Sequence, residues 1–441
     1  MGDDPPQRHT SRVRIDDPPE QAITASGPPL RRRALIRAAR SQIARQAAVF
    51  VSANIAANAL AVVSTAIITR HLATSEFGSY AFASSVVVFV ALFYEFGLFL
   101  PAARMAAVAE LRDRREIIGS ALLMYLPIGV AFSVTIFVLS FWIDGWFNVN
   151  AGHAMRVAAP LVIGVPFGFV LQQLAQGLDR LHVAAAATVL AQLLLVALFA
   201  LAVGVGSGLS PASALALRGA AFTAAGLTCA FWLWPTFRRV RHWNRKFLHQ
   251  ARDWGFQVYI GRVLSIGTYN MDVLMLGIWT TSRNVGFYVL AGSLATVSGL
   301  PVTGAAAALF GRMARAESLR RQWLVMAIGV GTVSALIAWL LAKPVITLFF
   351  GHRYAGAAAL VLPLALAQLV RGVTTMFNTF LSAHGRGTDL RNAGFVLALS
   401  NVAFNFALIP HFGAQGAAWA SLLALGANFL AHIYFYRRAY A

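Results

Sequence analysis

Five ionisable side chains stand inside otherwise apolar stretches of the sequence: Glu95, Arg218, Arg262, Asp272 and Arg371. A charge at the centre of hydrocarbon costs at least about 2.5–3.5 kcal/mol on insertion scales, so such residues face one another, backbone or a water-filled cavity. The chemistry they offer is ion binding rather than bond-making. An arginine is permanently charged and grips a phosphate through paired hydrogen bonds. A carboxylate balances an arginine or takes up a coupling cation. Arg262 lies roughly 12 Å into its run at about 1.5 Å per residue, so snorkelling and a cavity role are both open to it. The same holds for Arg218 near the other surface. Arg371 sits midway along its run, out of reach of either surface, and is expected to face a cavity. Tyr269 and Asn270 flank Asp272 and are placed to help hydrogen-bond it. For Glu95 and Asp272, an ion pair across a helix interface and a cavity role stand side by side.

The mid-span amides, Asn401, Asn405 and Asn428 among them, read as hydrogen bonds between helices. His71, His153, His182, His352, His384 and His411 fall at loops without ligand spacing, so neither a metal nor a cofactor is expected. No nucleophile elbow and no glycine-rich phosphate loop occurs, which argues against an enzyme.

These residues need apolar elements to position them. The 441-residue chain is 58% hydrophobic and 12% charged, where a soluble chain carries about a quarter charged residues. Its mean hydropathy is +0.66. Apolar runs of about 20 residues, each able to cross a bilayer, recur along it. They predict an all-α polytopic membrane protein with about twelve transmembrane helices. The predicted spans are 47–69, 79–103, 118–141, 154–176, 183–204 and 211–235, then 255–279, 285–309, 323–341, 356–381, 393–410 and 414–436. Residues 1–45, rich in Pro, Arg and Asp, read as a disordered basic tail. The net charge of +20 gathers in that tail and in alternate loops, not in a basic domain with interleaved aromatics, so nucleic acid is not an expected partner. The lone Cys229 can form no intramolecular disulfide.

Arg112, Arg114 and Arg115, the run 238–246, Arg312 to Arg321, and Arg437 with Arg438 all lie on one side of the span pattern. The other side offers only Arg70, Arg156, Arg283, Lys343 and Arg353. The positive-inside rule then places both termini in the cytoplasm. An internal repeat divides the spans. Gly286 with Tyr288 lies 208 positions after Gly78 with Tyr80, and Gly385 lies 208 after Gly177. Six spans per copy give two six-helix lobes in the same orientation, related by a pseudo-two-fold axis along the membrane normal, as in transporters with parallel repeats. The lobes are expected at 46–237 and 254–441. A basic cytoplasmic linker at 238–253 joins them and can rest on membrane lipids.

Four loops carry a resemblance. Arg70 to Tyr80, Asp272 to Gly277 followed by Val285 to Tyr288, Phe350 to Ala355, and Asn405 to Ala418 resemble the corresponding segments of bacterial polysaccharide flippases. These belong to the multidrug/oligosaccharidyl-lipid/polysaccharide exporter superfamily. The resemblance runs from about Ala47 to the end and leaves out the tail. It implies a flippase of the bacterial inner membrane that carries a polyprenyl-diphosphate-linked oligosaccharide for O-antigen, capsule or exopolysaccharide synthesis. Lipid-linked oligosaccharide and membrane lipids are the implied partners, with H⁺ or Na⁺ as candidate coupling ion and the polysaccharide synthesis machinery as a further candidate. Asp272 is the one charged position whose role the resemblance carries over. Two alternatives are a cation-coupled multidrug antiporter of the same superfamily, which should have an acidic cavity, and a membrane polysaccharide polymerase or glycosyltransferase. The latter would need a large external or acidic metal-binding loop that this sequence lacks.

Overall fold

The computed structural model describes residues 49, 52–178, 180–206 and 208–440; the expected tail, 1–45, lies outside them. So do the side chains of 253, 254, 257, 258, 260–262, 264–266, 269, 310 and 311. Among the described residues every regular element is helical. The first half comprises α1 (Ser52–His71), α2 (Thr74–Phe93), α3 (Phe99–Val108), α4 (Leu111–Leu139), α5 (Gly152–Ala158), α6 (Gly164–Gly177), α7 (Leu181–Gly204) and α8 (Pro211–Trp232). A connecting helix α9 (Val240–Gln250) leads into α10 (Phe256–Trp279), α11 (Ser282–Met313), α12 (Arg321–Val345), α13 (Ala358–Ala383) and α14 (Gly387–Tyr440).

Three of these depart from simple spans. α14 has 54 residues, yet Gly413 takes φ 55° and ψ −132°, which only a residue without Cβ adopts readily. The chain reverses there, and Asn428 Nδ2 donates to Ala393 O at 2.7 Å between the two antiparallel arms. The expected span 79–103 is broken into α2 and α3, with Phe96 and Gly97 at φ 48° and 66°. The expected span 154–176 is broken into α5 and α6 around residues 159–163. Nine described helices are long and apolar enough to cross a membrane. Counting the two arms of α14 separately, and adding α10 and the broken α5–α6 span, accounts for the twelve expected crossings.

Large apolar side chains stay exposed at helical spacing on α4 (Leu126, Val130, Val134, Phe137) and on α12 (Val333, Leu336, Ile337, Leu340). On a soluble protein such stripes would be association sites; here they face lipid. Since lipid is as apolar as leucine, the helices hold together by close packing and buried polar bonds rather than by water exclusion.

The two halves meet through repeat-related residues. A Cβ on Gly78 would lie 1.7 Å from Ser282 O, and one on Gly286 would lie 3.1 Å from Thr74 O. Thr74 and Ser282, like Gly78 and Gly286, are 208 positions apart, so each copy presents the same patch to the other. That reciprocity is what a two-fold axis between α2 and α11 requires.

On the side opposite the basic loops, three side chains bind helix C-terminal carbonyls across the halves. Arg70 donates to Leu348 O (2.6 Å) and Phe349 O (3.0 Å), and Arg353 to Thr69 O (2.8 Å) and Arg70 O (2.6 Å). Asn148 closes the end of α10, its backbone N–H on Gly277 O (2.8 Å) and its amide on Ile278 O (2.7 Å). The negative helix ends favour cationic donors there.

On the basic side the expected 238–253 linker is largely helical. Arg239 pairs with Asp113 (2.5 Å) and Glu116 (2.6 Å) on α4, and Trp243 and Phe247 of α9 are buried. Glu116 first, and then Asp113, push the Arg239 guanidinium above its ordinary pKa.

Candidate functional site

Asp272 is buried at the meeting of α10, α11 and both arms of α14. Its Oδ1 accepts from Asn401 (2.8 Å) and Asn405 (2.6 Å), one turn apart on the first arm. Its Oδ2 accepts from Tyr288 (2.6 Å) on α11 and Ser421 (2.6 Å) on the second arm. Tyr288 and Ser421 also touch at 2.9 Å, and Asn405 donates to Asn401 Oδ1 at 3.1 Å. The carboxylate therefore has four neutral donors and, among the described residues, no cation within ion-pair distance. None of those four donors is an arginine. Asn405 Oδ1 is buried without a hydrogen-bond partner beside it.

Tyr269 and Asn270 were expected to hydrogen-bond Asp272. The side chain of Tyr269 lies outside the described residues. Asn270 is not among the donors, because positions two apart on a helix point to opposite faces. It lines a separate cavity of about 220 Å³ between the halves. Ser64 and Thr65 of α1, Tyr80, Ser84 and Ser85 of α2, and Arg218 of α8 supply the rest of its polar wall. Arg218 stacks over Phe222, 5.1 Å from the ring centroid, and is within ion-pair distance of no carboxylate among the described residues. Ser84 Oγ is buried there without a partner. Arg218 thus stands in the wall of this cavity.

Glu95 is buried in the break between α2 and α3, where Gln173 of α6 donates to it. Close by, Tyr259 of α10 donates to Phe93 O at 2.9 Å, and Gly97 and Gly255 meet backbone to backbone. Arg371 is half-buried at mid-length of α13, between Gln368 and Gly372, which pack on Gly299 and Val302 of α11. It is not among the residues lining the 220 Å³ cavity. The side chain of Arg262 lies outside the described residues. The candidates therefore separate into a caged carboxylate, a cationic cavity and a broken-helix carboxylate. Tyr288 and Ser421 escaped the sequence reading, although Tyr288 carried a signal as the repeat mate of Tyr80.

Comparisons agree with this architecture. The chain is similar to a probable low-salt glycan biosynthesis flippase, Agl15 of Haloferax volcanii, at 23% identity over 185 residues; the match spans 39% of this chain and 39% of that relative. Its fold is similar to that of the lipid II flippase MurJ in an inward closed conformation (TM-score 0.69, 12% identity, 88% of this chain and 87% of that one). It is equally similar to an inward-facing multidrug resistance transporter of the MATE family (TM-score 0.70, 15% identity, 86% and 93%). Residues 43–317 match the family model described as polysaccharide biosynthesis protein. That match covers more than half of the sequence, and the chain belongs to the polysaccharide biosynthesis protein family.

Proposed function

We propose that the protein is a flippase that moves a polyprenyl-diphosphate-linked oligosaccharide across the bacterial inner membrane for surface polysaccharide synthesis, by alternating access between two six-helix lobes. The observation that carries this reading is the sign of the cavity. Arg218 is the only charged side chain in its described lining, and hydroxyls with one amide complete the polar wall. A diphosphate needs a permanent cation and a glycan needs neutral donors and acceptors. At about 220 Å³ the cavity falls below the roughly 300–1,000 Å³ of an ordinary small-molecule site, so the lobes must part to admit such a substrate.

The multidrug antiporter remains the second reading, because the same fold serves both. Its cationic substrate calls for an acid in the cavity, whereas Asp272 is enclosed within its own lobe. That carboxylate is the candidate site for a coupling H⁺ or Na⁺. Asp272, the Asn401 and Asn405 amides, Ser421 Oγ and Ala417 O form an oxygen-rich group with a single formal charge. No cluster of three or more His, Cys, Asp or Glu occurs among the described residues, so this set suits a monovalent ion. The basic loops support cytoplasmic termini, and substrate would then be loaded from the face where the synthesis machinery works.

The test is flipping of lipid-linked oligosaccharide by the purified protein in proteoliposomes. Arg218→Ala is expected to abolish it at normal protein abundance, and Arg218→Lys to restore part of it. Unchanged flipping by Arg218→Ala would overturn the cationic-cavity reading. Export of cationic drugs that depends on Asp272 would favour the antiporter instead.

A further inference from the structure

Outside the inter-lobe cavity, the first half carries a set of hollows on its lipid-facing surface. An apolar slot of about 350 Å³ runs between α4, α6 and α8, with Leu126, Phe167 and Leu227 in its wall. A second, of about 840 Å³, lies between α7 and α8, beside Leu190 and Trp232. Phe231, Pro235 and Phe237 belong to both and form the ridge between them. Leu126 (54%), Leu227 (50%), Phe231 (75%) and Phe237 (57%) are exposed, so the slots open toward the membrane rather than the protein interior. Their hydroxyl groups are already satisfied. Tyr125 donates to Ile163 O, Thr223 to Leu161 O at 2.8 Å, and Thr228 to Ala224 O at 2.8 Å. Such walls take hydrocarbon, and they hold no charged side chain for a polar head.

The polar complement lies next door, at the membrane end with the basic loops. Residues 235–238 alternate. Pro235 and Phe237 line the slots, while Thr236 and Arg238 line a third hollow of about 410 Å³ with Leu111, Arg112, Arg115 and the carboxylate Glu116 of α4. The segment is fixed by Thr236 N–H on Arg115 O at 3.0 Å, and Gly119 makes room for Thr236 O, which a Cβ would approach to 2.2 Å. The one acid in the wall, Glu116, is committed to Arg239 and to the Trp243 indole N–H, and its neighbour Asp113 is committed to Arg239 as well. Arg112, Arg115 and Arg238 are exposed and lie within ion-pair distance of no carboxylate among the described residues.

We infer that this surface is a binding site for one anionic two-chain phospholipid, its phosphate among Arg112, Arg115 and Arg238 and its acyl chains in the slots on either side of the Phe231–Phe237 ridge. Charge complementarity selects an anionic head, and two slots that share a wall select a lipid with two chains. A single polyprenyl chain would fill only one of them. The site joins α4 to the segment that leads into α9, so a bound lipid would pin the connector between the halves to the first half. None of this depends on what the protein transports.

The test uses the full chain in detergent and native mass spectrometry, with dioleoylphosphatidylglycerol, dioleoylphosphatidylcholine and undecaprenyl diphosphate as probes. Phosphatidylglycerol should bind at one tight site that phosphatidylcholine does not occupy. Replacing all three arginines by alanine should weaken it about a hundredfold, given the usual attraction of each basic residue to an anionic headgroup. Leu227→Trp, which fills the first slot and leaves the charges, should also weaken it. The substituted residues are exposed, so lipid-free melting temperatures should stay unchanged; a second set with Arg→Gln guards against a misfolded alanine variant. Equal binding of the two phospholipids, or a preference that survives loss of the arginines, would overturn the site. So would undecaprenyl diphosphate displacing phosphatidylglycerol from it, which would assign the hollow to a one-chain lipid.

Discussion

Asp272 allows the charge of a buried carboxylate to be separated from its structural role. In Asp272→Asn the oxygen that faces Asn401 and Asn405 remains, while the new amide N–H₂ faces Tyr288 and Ser421. Both are hydroxyls, which can rotate to accept. Ser421 can then turn its proton to Ala417 O, 3.0 Å away, and Tyr288 can give its own to Ser421 at 2.9 Å. No polar group that has a partner in the cage loses it, and the loss is the difference between charge-assisted and neutral bonds, about 1 kcal/mol. Asp272→Ala is different. The hydroxyl pair can close on itself and Asn405 keeps Asn401 Oδ1, but the Asn401 amide loses its acceptor. One stranded donor costs about 1–3 kcal/mol, and the space left adds to it, for a total of about 2–4 kcal/mol. Thermal unfolding of the purified protein should therefore rank wild type close to Asp272→Asn, with Asp272→Ala well below. If the charge serves coupling, Asp272→Asn should fold normally and still lose flipping and any stabilisation by Na⁺. Normal flipping by Asp272→Asn would remove the coupling role, and an Asp272→Ala variant as stable as wild type would show that the cage does not tie α10 to α14.

Two further expectations concern the interface between the halves. Arg70→Ala combined with Arg353→Ala removes the arginine donors from the helix-end carbonyls, so the side opposite the basic loops should open more often. A cysteine at Ser79 should then react faster with a membrane-impermeant thiol reagent, and an unchanged rate would show that the closure does not rest on these bonds. Gly78→Ala would put a methyl 1.7 Å from Ser282 O and must push α2 and α11 apart, whereas in Gly286→Ala the nearest atom is 3.1 Å away. Alanine gains about 1 kcal/mol over glycine in a helix, so the second change should be near neutral in melting temperature and the first clearly destabilising; equal effects would refute the close approach.

Hydropathy and loop charge made the spans legible, and the common offset of 208 residues made the halves legible, because both are properties of whole segments. The helix breaks at Phe96–Gly97 and at 159–163 were not. Most residues around the first are apolar, so a hydropathy window runs through it, and the positive φ at Phe96 is imposed by tertiary contact, Gly97 against Gly255 and Tyr259 against Phe93. The same limit governed the site. Asp272 stood out as a charge in an apolar run, but its partners come from α11 and from the two arms of α14, which meet only because the chain reverses at Gly413. Asn401 and Asn405 were read as bonds between helices, and they are; what the sequence withheld was that both end on one carboxylate. Adjacency in sequence misled at Asn270, which helix geometry turns to the opposite face.

The repeat also shows how one scaffold can hold a caged carboxylate and a cationic cavity together. On the offset of 208, Asp272 falls opposite Ser64, and Tyr288 opposite Tyr80. In the second copy these positions form a closed polar cage, and in the first they wall an open cavity. Arg218, which supplies the charge of that cavity, has Gly426 as its counterpart. The duplicated helices thus carry an acid on one side and a base on the other, too far specialised to substitute for each other. A single element serves both. α10 presents Asp272 to the cage and, two residues earlier on its opposite face, Asn270 to the cavity. In the proposed cycle, a cation arriving at Asp272 displaces donors held by α11 and α14, and any shift of α10 that follows moves part of the cavity wall. Binding free energies are reciprocal. A headgroup that draws Asn270 toward Arg218 must therefore change the affinity of Asp272 for its ion by the same factor that the ion changes the affinity of the cavity for the headgroup.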